Sequence, residues 1–176
     1  MTQVVLQMSE EMYCDLWAHL IPERFVMEEV AFVYARIQQH AEAVVFECIE
    51  WVPVLPDGFA HRSEVHLELS DETKSGAIKR AHDLQLSLIE FHSHGDGWPA
   101  QFSPSDIYGF REFVPHVWWR LKGRPYAAIV VANSSFDGFA WKSDPHTPER
   151  LGGIAVGKKL LRPTGISPLQ DEFYYE

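Results

Sequence analysis

Short apolar runs, separated by polar or glycine- and proline-rich stretches, recur along the chain and are typical of strands. Residues 126–132 contain no charged position, which predicts a strand buried on both faces of a sheet. Residues 65–69 instead alternate apolar and polar positions, which predicts a strand with one exposed face. The predicted strands comprise residues 3–6, 28–37, 44–54, 65–69, 86–91, 126–132, 136–142 and 154–161.

Apolar residues at helical spacing predict three helices, each preceded by a serine that can act as the N-cap. The first helix follows Ser9, the second follows Ser70, and the third extends from about Pro104 to Trp118. Strands and helices in this mixed order predict an α/β fold, namely a three-layer sandwich in which helices flank both faces of a mixed central sheet.

A chain of 176 residues with a hydrophobic fraction of 46% has the length and composition of one globular domain. Residues 1–161 are expected to form that domain, and residues 162–176 a tail packed on it or extending from it. The net charge of −10 and the absence of a Lys/Arg cluster argue against nucleic acid and anionic membrane surfaces as partners. No apolar run reaches the ~18 residues of a membrane span, and the N-terminus lacks a signal-peptide pattern, so a cytoplasmic protein is expected.

The stretch that follows the strand at residues 86–91 carries three residues suited to binding a metal ion. His92 and His94 are two positions apart, so on a strand both side chains point to the same face. Asp106, at the start of the third helix, is the natural third ligand, and two imidazoles, one carboxylate and an open position are typical of a catalytic zinc. Cys14 and Cys48 form no Cys-x-x-Cys pair, which excludes a cysteine-based zinc site.

A second interpretation of Asp106 is purely structural. Ser103 at the N-cap, Pro104 at the first helical position and an acid at the third make a good helix start, so Asp106 could simply cap that helix. A His-x-His pair is weak evidence for a metal by itself. Its combination with a downstream Ser-x-x-Asp favours the metal site.

These residues resemble the JAMM motif of the JAB/MPN metalloprotease family, in which a glutamate on an early strand precedes His-x-His, a loop, and Ser-x-x-Asp. Here the glutamate is Glu28 or Glu29, and eight residues separate His94 from Ser103, one more than is usual in the family. Gly95 stands where many family members have proline. Neither departure changes a metal ligand.

The resemblance implies a three-layer fold like that of cytidine deaminases, with a single zinc ion held by His92, His94 and Asp106. It also implies a deubiquitinase-like zinc metalloprotease that hydrolyses the peptide or isopeptide bond after the C-terminal tail of a ubiquitin-like protein, in deconjugation or precursor processing. Zinc would lower the pKa of a bound water to about 7, and Ser103 is expected to donate a hydrogen bond to the developing oxyanion. The expected partners are the ubiquitin-like protein and its conjugates, together with cognate activating and conjugating enzymes.

The family pattern also decides which glutamate is expected to be the general base. Small residues follow the family's glutamate at the third and seventh positions. Counting from Glu28 gives Ala31 and Ala35, whereas counting from Glu29 gives a phenylalanine and an arginine. Glu28 is therefore expected to be the base, and adjacent strand residues would face opposite sides of the sheet. The alternative is that both are solvated acids at the entrance of a strand.

The sequence alone is also compatible with other functions. A zinc deaminase would share the fold, but its Pro-Cys-x-x-Cys signature is absent. A non-catalytic JAB/MPN scaffold and a binding domain whose histidines only pack in the core are further alternatives. For the loop between His94 and Ser103, the sequence leaves open whether Trp98 and Phe102 form the wall of a substrate groove or bury against the core.

Overall fold

The computed structural model describes residues 2–25, 27–64, 66–95 and 97–169 of the chain. Its strands are β1 (Gln3–Met8), β2 (Val30–Gln39), β3 (Ala43–Pro53), β4 (Phe59–Arg62), β5 (Leu67–Leu69), β6 (Ser87–Ser93), β7 (Tyr126–Ala132), β8 (Ser135–Trp141), β9 (Glu149–Arg150), β10 (Gly153–Val156) and β11 (Lys159–Leu161). Its helices are α1 (Glu10–Leu20), α2 (Asp71–Leu84) and α3 (Pro104–Arg120), with a short 3₁₀ turn at Pro56–Gly58. Within the described ranges, no helix is both long and apolar enough to cross a membrane.

Nine strands of the described residues form one mixed sheet in the order β11-β10-β1-β3-β2-β6-β7-β8-β9, and β4 and β5 pair as a separate hairpin. Strand β6 lies between β2 and β7, and it runs antiparallel to β2 and parallel to β7. Near its C-terminal end, His92 lies opposite Val30 of β2 on one side and Val130 of β7 on the other. Strands on both sides therefore fix the position of the backbone at His92.

Two hydrophobic clusters, one on each face of the sheet, hold the helices in place. On one face α1 buries Leu16 and Leu20 against the strands. On the other face α2 buries Ile78 and α3 buries Phe110. Removing apolar surface from water contributes roughly 25 cal/mol per Å² to such packing. The mixed α/β architecture predicted from the sequence is confirmed.

Several predicted element boundaries were wrong. The strand predicted at residues 28–37 begins at Val30, so both glutamates precede it. The single strand predicted at residues 154–161 is a hairpin of β10 and β11, because the turn between them places Gly157 at φ +57°, a conformation that glycine adopts without strain. The strand predicted at residues 65–69 is described only from Leu67, since Val65 lies outside the described residues.

The C-terminal segment, residues 162–169, packs against the sheet and against the loop that precedes α3. Ser167 is buried, its backbone N–H donates to Asp137 of β8 at 2.9 Å, and its hydroxyl accepts the N–H of Phe102 at 2.9 Å. Thr164 donates from its backbone to Phe136 and from its hydroxyl to a carbonyl of that loop. The remaining tail, residues 170–176, lies outside the described residues.

Candidate metal centre

Strand β6 and helix α3 bring the three predicted ligands together. His92 is the penultimate residue of β6 and is buried, and His94 follows directly after the strand, anchored by its backbone N–H on Val131 at 2.8 Å. Ser93 between them turns the other way, where its hydroxyl accepts the backbone N–H of Glu29 at 2.9 Å. The alternation of a strand thus directs both imidazoles to the α3 side of the sheet, where they meet Asp106.

The three donor atoms form a nearly equilateral triangle. The Nε2 atoms of His92 and His94 are 3.2 Å apart, and each lies 3.3 Å from Oδ2 of Asp106. A tetrahedral ion with bonds of about 2.0–2.1 Å separates its ligands by about 3.3 Å, so the triangle matches one face of such a coordination shell. Two imidazole nitrogens and one carboxylate oxygen suit a divalent transition metal and leave a fourth corner for water or substrate. The residues present therefore fit a metal ion.

Charge compensation at the triangle supports the same conclusion. Burial alone would lower the pKa of His92, but the carboxylates of Asp106, Glu90 and Glu28 together outweigh it and raise that pKa to about 9. Burial alone would raise the pKa of Asp106, but the charge and hydrogen bonds of the histidines hold it well below its usual range. Without a metal, a proton on His92 balances the Asp106 carboxylate. A divalent cation at the triangle would supply that positive charge instead and would displace the proton.

Asp106 also caps α3, so the two interpretations of this residue are compatible. The backbone N–H of Ser103 donates to Oδ2 of Asp106 at 2.7 Å, and the backbone N–H of Asp106 donates to the Ser103 hydroxyl at 3.1 Å. This reciprocal pair is a capping box. The oxygen that closes it is the same Oδ2 that faces both imidazoles. The cap therefore fixes the carboxylate that a metal would need.

The two adjacent glutamates have different surroundings. Glu28 lines a cleft together with His94, Ser103 and Asp106. Glu29 instead forms an ion pair with Arg62 of β4, and its carboxylate lies 3.8 Å from Nε2 of His19 on α1. Neither residue belongs to β2, so the strand alternation on which their predicted orientation rested does not apply to them. The catalytic role of Glu28 stays a prediction.

The cleft has a volume of about 780 Å³ and is lined by two residues of the triangle, His94 and Asp106, while His92 lies buried behind them. Phe102 both lines it and belongs to the core, since it is 2% exposed and its ring stacks on Phe139 at 5.2 Å. Trp98, earlier on the same loop, is 68% exposed. Gly95 lies against the ring of Phe25, so close that a Cβ there would come within 2.1 Å of it. This contact gives a physical reason for glycine at that position.

Several residues that line the cleft were not predicted from the sequence, among them Glu64 and His66 from the β4–β5 hairpin and Pro168 from the C-terminal segment. No local motif marks them, because they reach the cleft only through the tertiary fold. Ser103, which was predicted, lines the cleft at the start of α3.

No protein-family model matches the chain, and no curated protein matches it significantly.

Proposed function

We propose that this protein is a zinc-dependent peptidase or isopeptidase of the JAB/MPN type. The observation that carries the proposal is the triangle of His92 Nε2, His94 Nε2 and Asp106 Oδ2, with sides of 3.2–3.3 Å. Two of its residues, His94 and Asp106, line an open cleft. Glu28 and Ser103 line that same cleft, as the JAMM resemblance requires of a base and an oxyanion donor. In this proposal the mixed sheet with helices on both faces is a JAB/MPN fold, and the protein acts in the cytoplasm.

The bound zinc would supply an acidified water molecule as the nucleophile and polarise the scissile carbonyl. Glu28 then accepts the proton that the water loses and delivers it to the leaving nitrogen, which departs as an amine. The Ser103 hydroxyl accepts the N–H of Asp106 and keeps its own hydrogen to donate. That donor stabilises the carbonyl oxygen as it becomes negatively charged.

The proposed substrate is the flexible C-terminal tail of a ubiquitin-like protein, in a precursor or a conjugate. An extended tail binds best as an added strand, because main-chain hydrogen bonds hold it in register. The β4–β5 hairpin supports this mode, since His66 and Leu67 line the cleft beside the donor atoms. Glycine next to the scissile bond would let the chain approach the metal closely. Cognate activating and conjugating enzymes are the further partners in this proposal.

The test begins with the metal content of the purified protein and continues with cleavage of fusions to a set of ubiquitin-like tails. We expect about one zinc per chain, and cleavage that stops with a chelator and returns with zinc. Asp83 offers a matched control, because this exposed acid of α2 pairs with Lys79 away from the cleft. Asp83→Ala should keep zinc and activity, whereas Asp106→Ala should lose both. One zinc per chain without cleavage of any tail would favour a non-catalytic scaffold. A purified protein that contains no zinc and binds none would show that the triangle is not a zinc site.

A further inference from the structure

A second nitrogen of His92 faces the interior of the protein, on the side away from the triangle. This atom, Nδ1, is buried and has no hydrogen-bond partner among the described residues. The carboxylate of Glu90 lies near it, with Oε1 at 4.0 Å. Glu90 is two positions earlier on β6, so its side chain shares a face of the sheet with His92.

Glu90 is itself held in place by Tyr126 on the neighbouring strand β7. The buried Tyr126 hydroxyl donates to Oε2 of Glu90 at 3.0 Å. Glu90 lies opposite Ala128, and Tyr126 is two positions before that alanine, so both side chains lie on the same face. With Oε2 engaged by Tyr126, Oε1 is the oxygen that remains to face His92.

If a metal binds at the triangle, Nδ1 of His92 needs a hydrogen-bond acceptor. An imidazole that binds a metal through Nε2 carries its proton on Nδ1, and a buried N–H without an acceptor is costly. A shift of about 1 Å by the ring or the carboxylate brings Nδ1 and Oε1 from 4.0 Å to ordinary hydrogen-bond distance. Metal-binding histidines generally donate their other N–H to such a partner, which orients the ring and strengthens the ligand.

We infer that Glu90, fixed by Tyr126, is the positioning residue that accepts the Nδ1–H of His92 and orients this ligand toward the metal. The inference rests on the proposed metal function of the triangle. The inferred hydrogen bonds form a chain from Tyr126 on β7 through Glu90 to His92 on β6. A purely structural alternative is that Glu90 serves only as the hydrogen-bond acceptor of the buried Tyr126 hydroxyl.

Zinc affinity separates these two roles, because a purely structural pair would alter stability without altering affinity. We would measure zinc binding by chelator competition on folded Glu90→Ala, Glu90→Gln and Tyr126→Phe proteins. Glu90→Ala should weaken binding about 10- to 100-fold, the usual effect of losing such a partner. Glu90→Gln should lose less, because its amide oxygen can still accept, and Tyr126→Phe should also lose less. Ser87→Ala is the matched control, since Ser87 is a buried polar residue on the same strand, and its affinity should equal the wild type.

A folded Glu90→Ala protein with wild-type zinc affinity would overturn the inference. If Glu90→Ala does not fold, NMR of the zinc-loaded wild type decides. We expect a far-downfield His92 Nδ1–H signal protected from exchange with water, and rapid exchange of that proton would overturn the inference. A wild type that binds no zinc would instead overturn the proposed function, so the two failures are distinguishable.

Discussion

Asp137 of β8 accepts the backbone N–H of Ser167 at 2.9 Å, a contact between residues 30 positions apart in the chain. The same carboxylate accepts the N–H of Gly165 at 3.2 Å, and Ser167 in turn accepts the N–H of Phe102. The C-terminal segment therefore ties the sheet to the loop that leads into the metal centre.

The first prediction concerns this connection. Asp137→Ala leaves the buried N–H of Ser167 without its acceptor, which costs about 1–3 kcal/mol. We expect a clearly lower free energy of unfolding, measured by denaturant titration. Asp83→Ala, at an exposed ion pair, should stay near the wild type. Equal stability of the two variants would show that Asp137 does not hold the segment.

The second prediction concerns the metal ligands. His92→Ala, His94→Ala or Asp106→Ala leaves two donors at the triangle, too few to hold a divalent ion tightly. We expect each purified variant to contain far less zinc than the wild type when measured by mass spectrometry. If Asp106→Ala contained as much zinc as the wild type, Asp106 would not be a metal ligand and would serve only as the cap of α3.

The third prediction separates Glu28 from Glu29. A base is not a ligand, so Glu28→Gln should keep its zinc and lose on the order of 10²–10⁴ in kcat, the usual share of general acid–base catalysis. Glu29→Gln weakens the ion pair with Arg62 and should keep kcat near the wild type. Steady-state cleavage of a tail fusion measures both. If Glu29→Gln were inactive and Glu28→Gln active, the assignment of the base would be reversed.

The fourth prediction concerns Trp98, which is exposed on the loop between β6 and α3. If this indole contacts the substrate tail, Trp98→Ala should raise KM or lower the rate while zinc content and stability remain unchanged. Trp119 at the end of α3 is exposed to a similar degree, so Trp119→Ala is a suitable control. An unchanged kcat/KM for Trp98→Ala would exclude this side chain from the groove.

The fifth prediction follows from the two cysteines. Burial raises the pKa of the Cys48 thiol to about 12, so at pH 8 this thiol stays protonated and unreactive. Cys14 is exposed and should react. Titration with a chromogenic disulfide reagent should label one thiol in the folded protein and two after denaturation, where Cys48 regains a pKa of about 8.5. Two rapidly labelled thiols in the folded protein would contradict this. Cys14→Ser should abolish the fast reaction.

Local sequence patterns predicted the parts of the site that lie close together in the chain. The period of a strand places His92 and His94 on one face, and the Ser103 capping box positions Asp106, so spacing alone was informative. Glu64 and Pro168 reach the cleft through long-range packing that no local pattern records.

The hydrogen bond between Tyr126 and Glu90 could not be predicted from the sequence, because it depends on the order and register of β6 and β7. The start of β2 at Val30 was not predicted, because the sequence does not show whether the two acids before the apolar run belong to the strand or precede it. The division of residues 154–161 depends on the left-handed conformation of Gly157, which the sequence permits but does not require.

Helix α3 begins at the candidate metal centre, and this has an electrostatic consequence. The N-terminus of a helix carries roughly half a positive elementary charge, so the partial charge at Ser103 faces the same cleft as the triangle. A cation bound there is held somewhat less tightly than the same ligands would hold it elsewhere. An anionic oxygen in the cleft gains from the same field, typically by about 0.3–1 kcal/mol. If the proposed hydrolysis takes place here, the helix would weaken metal binding slightly and favour the negative charge that develops on the carbonyl oxygen under attack.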